Sequence, residues 1–368
     1  MKRFLTLLLL PLAVHAQVRV ESLPEPGLQP QIAVSSAGVV HLVYLLGDPK
    51  ACDVRYTTRR LDGGDWTPPV TVNSEPRSAI AIGTIRGAQI ALGRKGSVQV
   101  LWNGSTAGQA ERRGQAPLLH ARLAPGAKAF SAQQNLMGDT TALDGGASIA
   151  ANGRGRVSVV WHAAPAGANG EADRLVLVRD STDDGLTFAP PTPLNEANTG
   201  VCACCSLRAH LTEDDRLTVL YRGAPEPASR GMLLLTRTAG RTRLNRLDDW
   251  RVALCPMSSA SLLPTGEWLQ AAWEKDGRIV IGRLDAAVGS SRQVGPKNAK
   301  HPVLARNSRG QTLVACVIGS GWNKAGTLHW DLLDKQGLST ASGGGDPLPL
   351  WSHTAVYTHP DGSFVLLH

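Results

Sequence analysis

Aromatic residues are scarce in this chain. They make up 5% of the 368 residues, with only four tyrosines and four phenylalanines. Lys and Arg are scattered, and no basic block with interleaved aromatics occurs, so a nucleic-acid surface is not expected. The formal charge of +8, two units of which come from Lys2 and Arg3, reads as a solvated basic surface. Beyond the first residues no apolar run approaches the roughly 20 residues that span a bilayer, so membrane insertion is not expected. No helical period competes with strand alternation. Cysteine is also rare, yet three of the six fall within Cys202-Ala203-Cys204-Cys205.

The first residues, MKRFLTLLLLPLAVHAQ, carry a basic start, a short apolar run and a small-residue cleavage site at Val14-His15-Ala16. This predicts a cleavable signal peptide over residues 1–16 and a mature chain over 17–368, periplasmic or secreted. No cysteine follows the cleavage site, so no lipoprotein anchor is expected. In an oxidising compartment an even cysteine count favours disulfides.

One pattern returns seven times: a short apolar strand, a polar turn with Gly or Asp, then an alternating strand closed by a large residue. The copies span 32–44, 90–102, 149–161, 208–221, 261–273, 303–316 and 355–368. Each reads as a β-hairpin. A third β-rich run follows most copies, as in VRYTTR (54–59), and a weaker fourth follows in places, as in PPVTVN (68–73). Four antiparallel strands repeated every 40–60 residues or so predict an all-β propeller in a single domain. The last copy has two strands, and QVRVES (17–22) has no hairpin of its own. The two are expected to join, giving six complete blades and a closing blade shared by the termini. The short copies leave a six-bladed ring as the alternative.

Residues 181–188 read Ser181-Thr182-Asp183-Asp184-Gly185-Leu186-Thr187-Phe188, and Ser181, Asp183, Gly185, Thr187 and Phe188 fit the Asp-box S-x-D-x-G-x-T-[FW] at every defined position. A fainter echo occupies residues 60–66. On this motif and the repeat, the whole mature chain resembles the sialidase-like (BNR/Asp-box) propellers. The box itself is expected to be structural, its Ser and Asp bonding turn amides while Phe188 tucks beneath.

The resemblance implies what an exo-α-sialidase-like glycoside hydrolase would need: three converging arginines for a carboxylate, a Tyr–Glu nucleophile pair and an Asp acid/base. It also implies a Phe/Tyr-Arg-Ile-Pro motif before the first blade, where this chain reads Gly27-Leu28-Gln29-Pro30-Gln31-Ile32, without the arginine. Tyr44 and Tyr221 fall at the large-residue position of the repeat and read as core. Tyr357 has no evident Glu partner. Arg86 and Arg222 are candidates for the channel mouth. No catalytic residue is assigned.

Strand direction alternates through a blade, which places each cysteine on a face. With "top" defined as the end where the innermost strand of each blade begins, Cys202, Cys204 and Cys205 lie in the link into the fourth blade and Cys255 in the link into the fifth. Cys52 and Cys316 also map to the top, whereas the Asp-box maps to the bottom. Two readings compete. Disulfides would staple neighbouring blades, with direct bonding of Cys204 to Cys205 disfavoured by strain. Alternatively Cys202, Cys204, Cys205 and Cys255, with Met257 two residues on, form a sulfur-rich metal site. The spacing is not a standard zinc pattern and a thioether suits copper(I), so copper is favoured over zinc; if the cysteines are bridged, no metal is expected. His301, His353 and His162 lie near the top as further candidates, together with Cys52 and Cys316. The resemblance, to a branch with a Cys-x-Cys-Cys loop and a later Cys-Pro-Met, implies a non-catalytic metal role. The resulting expectation is an exported, non-catalytic propeller that captures or delivers soft metal to a metal-handling protein docked on the top face. A sialidase-like hydrolase or glycan binder and a disulfide-stapled interaction platform are the alternatives.

Overall fold

The computed structural model of the protein describes residues 18–107, 116–138, 143–165, 167–168, 170–196, 198–266, 268–284 and 291–368. The expected leader, 1–16, lies outside the described residues. Seven sheets form a ring, six of them four-stranded with strands in sequence order from the inside outward. The innermost strands are Leu28–Val34, Gln89–Leu92, Ser148–Ala151, Arg208–Leu211, Ala260–Pro264, Ala299–Arg306 and Ala355–Thr358. Together they line the central channel. All pairings within the six complete blades are antiparallel, for example Ile149 opposite Val159 and Trp161 opposite Leu177. No helix among the described residues is long and apolar enough to cross a membrane.

Seven blades replace the six-bladed alternative, and the ring closes as the repeat predicts: Val18–Glu21 joins the last hairpin. This closing sheet has three strands, and Val18–Glu21 pairs with Phe364–Leu367 in parallel. Chain direction explains the difference from the antiparallel blades. The first blade starts at the top, so the N-terminal strand must run upward to reach it. Phe364–Leu367 also runs upward, and with no descending strand between them the two can only pair in parallel. The closure covers the outer edge of Phe364–Leu367 and leaves Val18–Glu21 as the outer strand of the blade. It is fastened by Leu23 N–H donating to His368 O at 3.0 Å and by the ion pair of Arg59 with Glu21 at 2.9 Å.

The core lies between blades rather than within them. The large residues that close the second strands, Tyr44, Trp102, Trp161, Tyr221, Trp273 and Cys316, are at most 2% exposed. Each fills the space against a neighbouring sheet, which is the role assigned above to Tyr44 and Tyr221.

The Asp-box sits at the bottom, after the third strand of blade 3, Leu175–Ser181. Ser181 Oγ accepts the Gly185 amide at 2.8 Å, and Asp183 accepts the Thr187 amide and hydroxyl at 2.9 and 2.6 Å. Phe188 meets His120 of blade 2 edge-on, with ring centroids 5.1 Å apart. Asp184, an undefined position of the motif, does the cross-blade bonding: it is 1% exposed and binds Arg122, Ser97 Oγ and the Arg94 amide of blade 2. Burial opposes ionisation of Asp183, but the bonds from Thr187 and Ser181 outweigh it and hold its pKa at about 2. A lowered carboxylate pKa contributes stability that is present above the ordinary aspartate range and is lost as pH falls towards 2. Asp183→Ala is therefore expected to cost about 2 kcal/mol at neutral pH, and acid titration of urea midpoints should show that difference shrinking below pH 4 or so.

Candidate metal centre

Residues 201–206 cross the top rim as a tight turn. Two buried backbone bonds pin it: Cys202 N–H donates to Arg222 O at 2.9 Å and Ser206 N–H to Ser258 O at 3.2 Å. Glu171 receives the Ala203 amide at 2.7 Å and is itself held by Arg230 at 2.7 Å. Gly145 lets the turn approach blade 3, since a Cβ there would stand 2.2 Å from Cys205 O. The turn gathers its three thiols so that the sulfur atoms of Cys202, Cys204 and Cys205 lie within 4.8 Å of one another. Cys202 Sγ is 3.4 Å from both of the others.

Cys204 is joined by a disulfide to Cys255, whose Cα is 6.5 Å away. The bridge staples the links into blades 4 and 5, as the disulfide reading expected. Cys202 and Cys205 remain free, 0% and 3% exposed, while Cys255 is exposed. One rim thus holds four sulfurs, two bonded at the surface and two as thiols beneath.

The environment of the buried pair is polar. Arg222, 2% exposed, extends under the turn, donating to Arg230 O at 2.7 Å and Glu274 O at 2.8 Å, and stacks 4.7 Å from the Trp250 ring. Burial alone would raise the Cys205 pKa. The hydrogen bond from Cys202, the Arg222 charge and the Ser258 amide outweigh burial and lower it. Cys202 moves the other way, held up by its bond to Cys205 and by burial. The arrangement favours one thiolate at Cys205, accepting a hydrogen bond from the Cys202 thiol.

The remaining top-face cysteines and histidines add no ligand atom to this group of converging sulfurs. Cys52 is fully buried, its thiol donating to Asp48 O, and burial pushes its pKa up to about 12. Cys316 is packed in the core between blades 5 and 6, and burial likewise raises it to about 12. His162 has both ring nitrogens engaged, with Cys205 O at 3.1 Å and the Arg174 guanidinium, which leaves neither for a metal. His301 and His353 are each 3% exposed; Nδ1 of the first meets Ser259 Oγ and that of the second donates to Thr354 O. Burial drives both pKa values down, His353 to about 4. Met257 lines a narrow pocket with Gly83, Lys300, His301 and Trp322, a lining without cysteine.

Arg86 and Arg222 do not reach the channel. Arg86 pairs with Asp144 at 2.5 Å, and Arg222 belongs to the sulfur site. Sequence reasoning did not connect Arg222 with the cysteines, although its place directly after Tyr221, at the top of blade 4's second strand, was the available signal. The channel, about 620 Å³, carries Arg208, His210, Arg306 and Tyr357 and, among its described lining residues, no Asp or Glu.

No family model matches the chain, and no curated protein matches it. Solved structures do resemble it. A protein of unknown function from Dyadobacter fermentans superposes with a TM-score of 0.57 at 13% identity, over 83% of this chain and 94% of that one. An α-L-arabinanase of Penicillium chrysogenum gives 0.53 at 12% identity, over 86% and 95%. The Hadza microbial sialidase Hz136 gives 0.51 at 14% identity, over 78% of this chain and 63% of the sialidase. At such identities the likeness concerns the backbone alone, and on it the chain has the sialidase-like β-propeller fold, here closed with seven blades.

Proposed function

We propose that the protein is an exported, non-catalytic propeller whose four rim sulfurs, once the Cys204–Cys255 bridge is reduced, hold one soft metal ion, copper(I) in preference to zinc. The observation that carries this is the convergence of the Cys202, Cys204 and Cys205 sulfurs within 4.8 Å, with the fourth sulfur covalently attached to one of them. Reduction converts that set into four thiol ligands. Soft thiolates select cuprous copper or zinc, and the buried Arg222 charge offsets the negative charge they bring. Met257 is proposed as an auxiliary thioether. The rim presents the site outward: Cys255 is exposed and Leu254 beside it is 73% exposed, so a metal-handling partner docked on this face can reach the sulfur. The bridge itself fits an oxidising, extracytoplasmic compartment. The absence of a carboxylate among the described channel-lining residues favours binding over glycoside hydrolysis, which uses a carboxylate pair.

Metal analysis of the reduced protein tests this. About one copper per chain is expected in the wild type and none in a Cys202/Cys204/Cys205→Ser variant. Equal metal in both would end the proposal, and turnover of a fluorogenic sialoside by the wild type would overturn the non-catalytic reading. Met257→Leu is expected to weaken copper binding only about threefold, against the 10–100-fold typical of losing a group that supports a metal site; a chelator competition measures it.

A further inference from the structure

We propose that the same rim carries out thiol–disulfide exchange with a protein disulfide, passing two electrons from the buried Cys202/Cys205 dithiol to the surface through Cys204 and Cys255. The proposal stands on sulfur positions alone and does not require that a metal binds.

Cys202 is the junction. It is 0% exposed, so no outside reagent reaches it directly, yet its sulfur is 3.4 Å from Cys204 Sγ and 3.4 Å from Cys205 Sγ. Thiol–disulfide exchange proceeds by thiolate attack on a disulfide sulfur, and contact between the two is its first requirement. Cys202 Sγ attacks Cys204 Sγ as its proton passes to Cys205 Sγ, 3.4 Å away. A Cys202–Cys204 bond forms, the Cys204–Cys255 bond breaks, and Cys255 leaves as a thiolate that takes up a proton. Cys205 gives up that proton, attacks Cys202 Sγ and expels Cys204 as a thiolate, which is protonated in turn. The disulfide has moved from Cys204–Cys255 to Cys202–Cys205, a pair separated by two residues, and no electrons have entered or left.

The product is a surface dithiol. Its Cys255, exposed at the rim, attacks a partner's disulfide, forming a mixed disulfide and releasing one partner thiol. Cys204 resolves the mixed disulfide and releases the second. The partner gains two electrons and two protons, and the protein ends with two disulfides, Cys202–Cys205 and Cys204–Cys255. A donor dithiol restores the starting state by the reverse steps. The division of burial suits this work: the electron store is shielded at 0% and 3% exposure, and contact with partners is confined to Cys255.

The test uses the full chain with a chelator present and 5,5′-dithiobis(2-nitrobenzoate) as the probe disulfide. The wild type is expected to release two equivalents of thionitrobenzoate, and peptide mapping is expected to find a new Cys202–Cys205 bridge beside Cys204–Cys255. Cys204→Ser with Cys255→Ser removes the route, and release from Cys202 and Cys205 is expected to slow at least tenfold. An equal rate in both proteins would show that the buried thiols react directly and would overturn the relay, as would a wild type in which they stay unreacted. If the double variant does not fold, Cys205→Ser decides. Its relay stops at Cys202–Cys204, so iodoacetamide added to the native protein is expected to accumulate on Cys255. A Cys255 that stays bridged and unlabelled refutes the first step. Failure of copper binding leaves both outcomes unchanged.

Discussion

Trp161→Ala is expected to lower stability by about 4 kcal/mol, read as a fall in the urea midpoint with unchanged slope. Trp161 is 0% exposed and closes the second strand of blade 3, packed with Leu101 and Leu118 of blade 2 and with Met137, Leu143 and Leu177. Most of the residues around it belong to sheets fixed by their ladders, which refill the space poorly. The cost is therefore a transfer loss plus a persistent cavity. Its indole N–H has no hydrogen-bond partner among the described residues, so no polar contact with them is lost with the ring. Trp161→Phe, which removes that unsatisfied group along with some volume, should cost under about 2 kcal/mol. The equivalent Trp273 behaves differently. Its Nε1–H donates to Asp248 Oδ2 at 2.5 Å, so Trp273→Phe leaves that half-buried carboxylate with the Met232 amide on its other oxygen and should cost more than Trp161→Phe does. Equal costs for the two Phe variants would show that volume alone decides.

Blade number and order were legible because a hairpin alternates with period 2 and its large end residue must face the next blade. That is visible at 149–161 without any partner in view. The expected face of each cysteine rested on strand direction alone. The outer strands were less legible. Val70–Thr71 and Thr192–Pro193 are two-residue ladders at the ring's edge, flanked by prolines, and carry little alternation. The parallel closure was not legible, because pairing direction depends on how many strands intervene and not on the residues of Val18–Glu21. Within the cluster, the sequence placed Cys204 and Cys255 near each other but left open which thiol of the turn would bond. That choice rests on which side chains the turn directs inward. Cys202 and Cys205 point into the core and Cys204 outward, a matter of local dihedrals set by bonds to Arg222, Ser258 and Glu171, all remote in sequence. His301 and His353 show the same limit. Their register puts them at the top, but only packing reveals that both are buried.

Arg222→Met should have two separable consequences. The first is a loss of about 3–5 kcal/mol in stability, the range for removing one partner from a buried charged network. Two charge-assisted hydrogen bonds vanish, leaving the carbonyls of Arg230 and Glu274 without a donor at a site 2% exposed. Glu274, already short of a partner at Oε2 and with its pKa raised by burial, loses a neighbouring positive charge and moves further up. The second concerns the sulfurs. The Arg222 charge helps to lower the Cys205 pKa against the opposing effect of burial, so its removal moves that thiol up. Metal binding requires thiolate and therefore competes with protons. On the proposed copper site the variant should lose affinity about 10–100-fold near pH 6, and the gap should narrow as pH rises and Cys205 ionises in both proteins. Arg222→Lys separates the two effects. It keeps the charge and should restore most of the pH profile, but it lacks the planar fork that reaches both carbonyls, so stability should stay low. Chelator competition for copper(I) at three pH values, beside urea unfolding of the metal-free proteins, reads both. A gap in affinity that is the same at every pH would mean that Arg222 supports the turn only mechanically and does not hold a thiolate at Cys205.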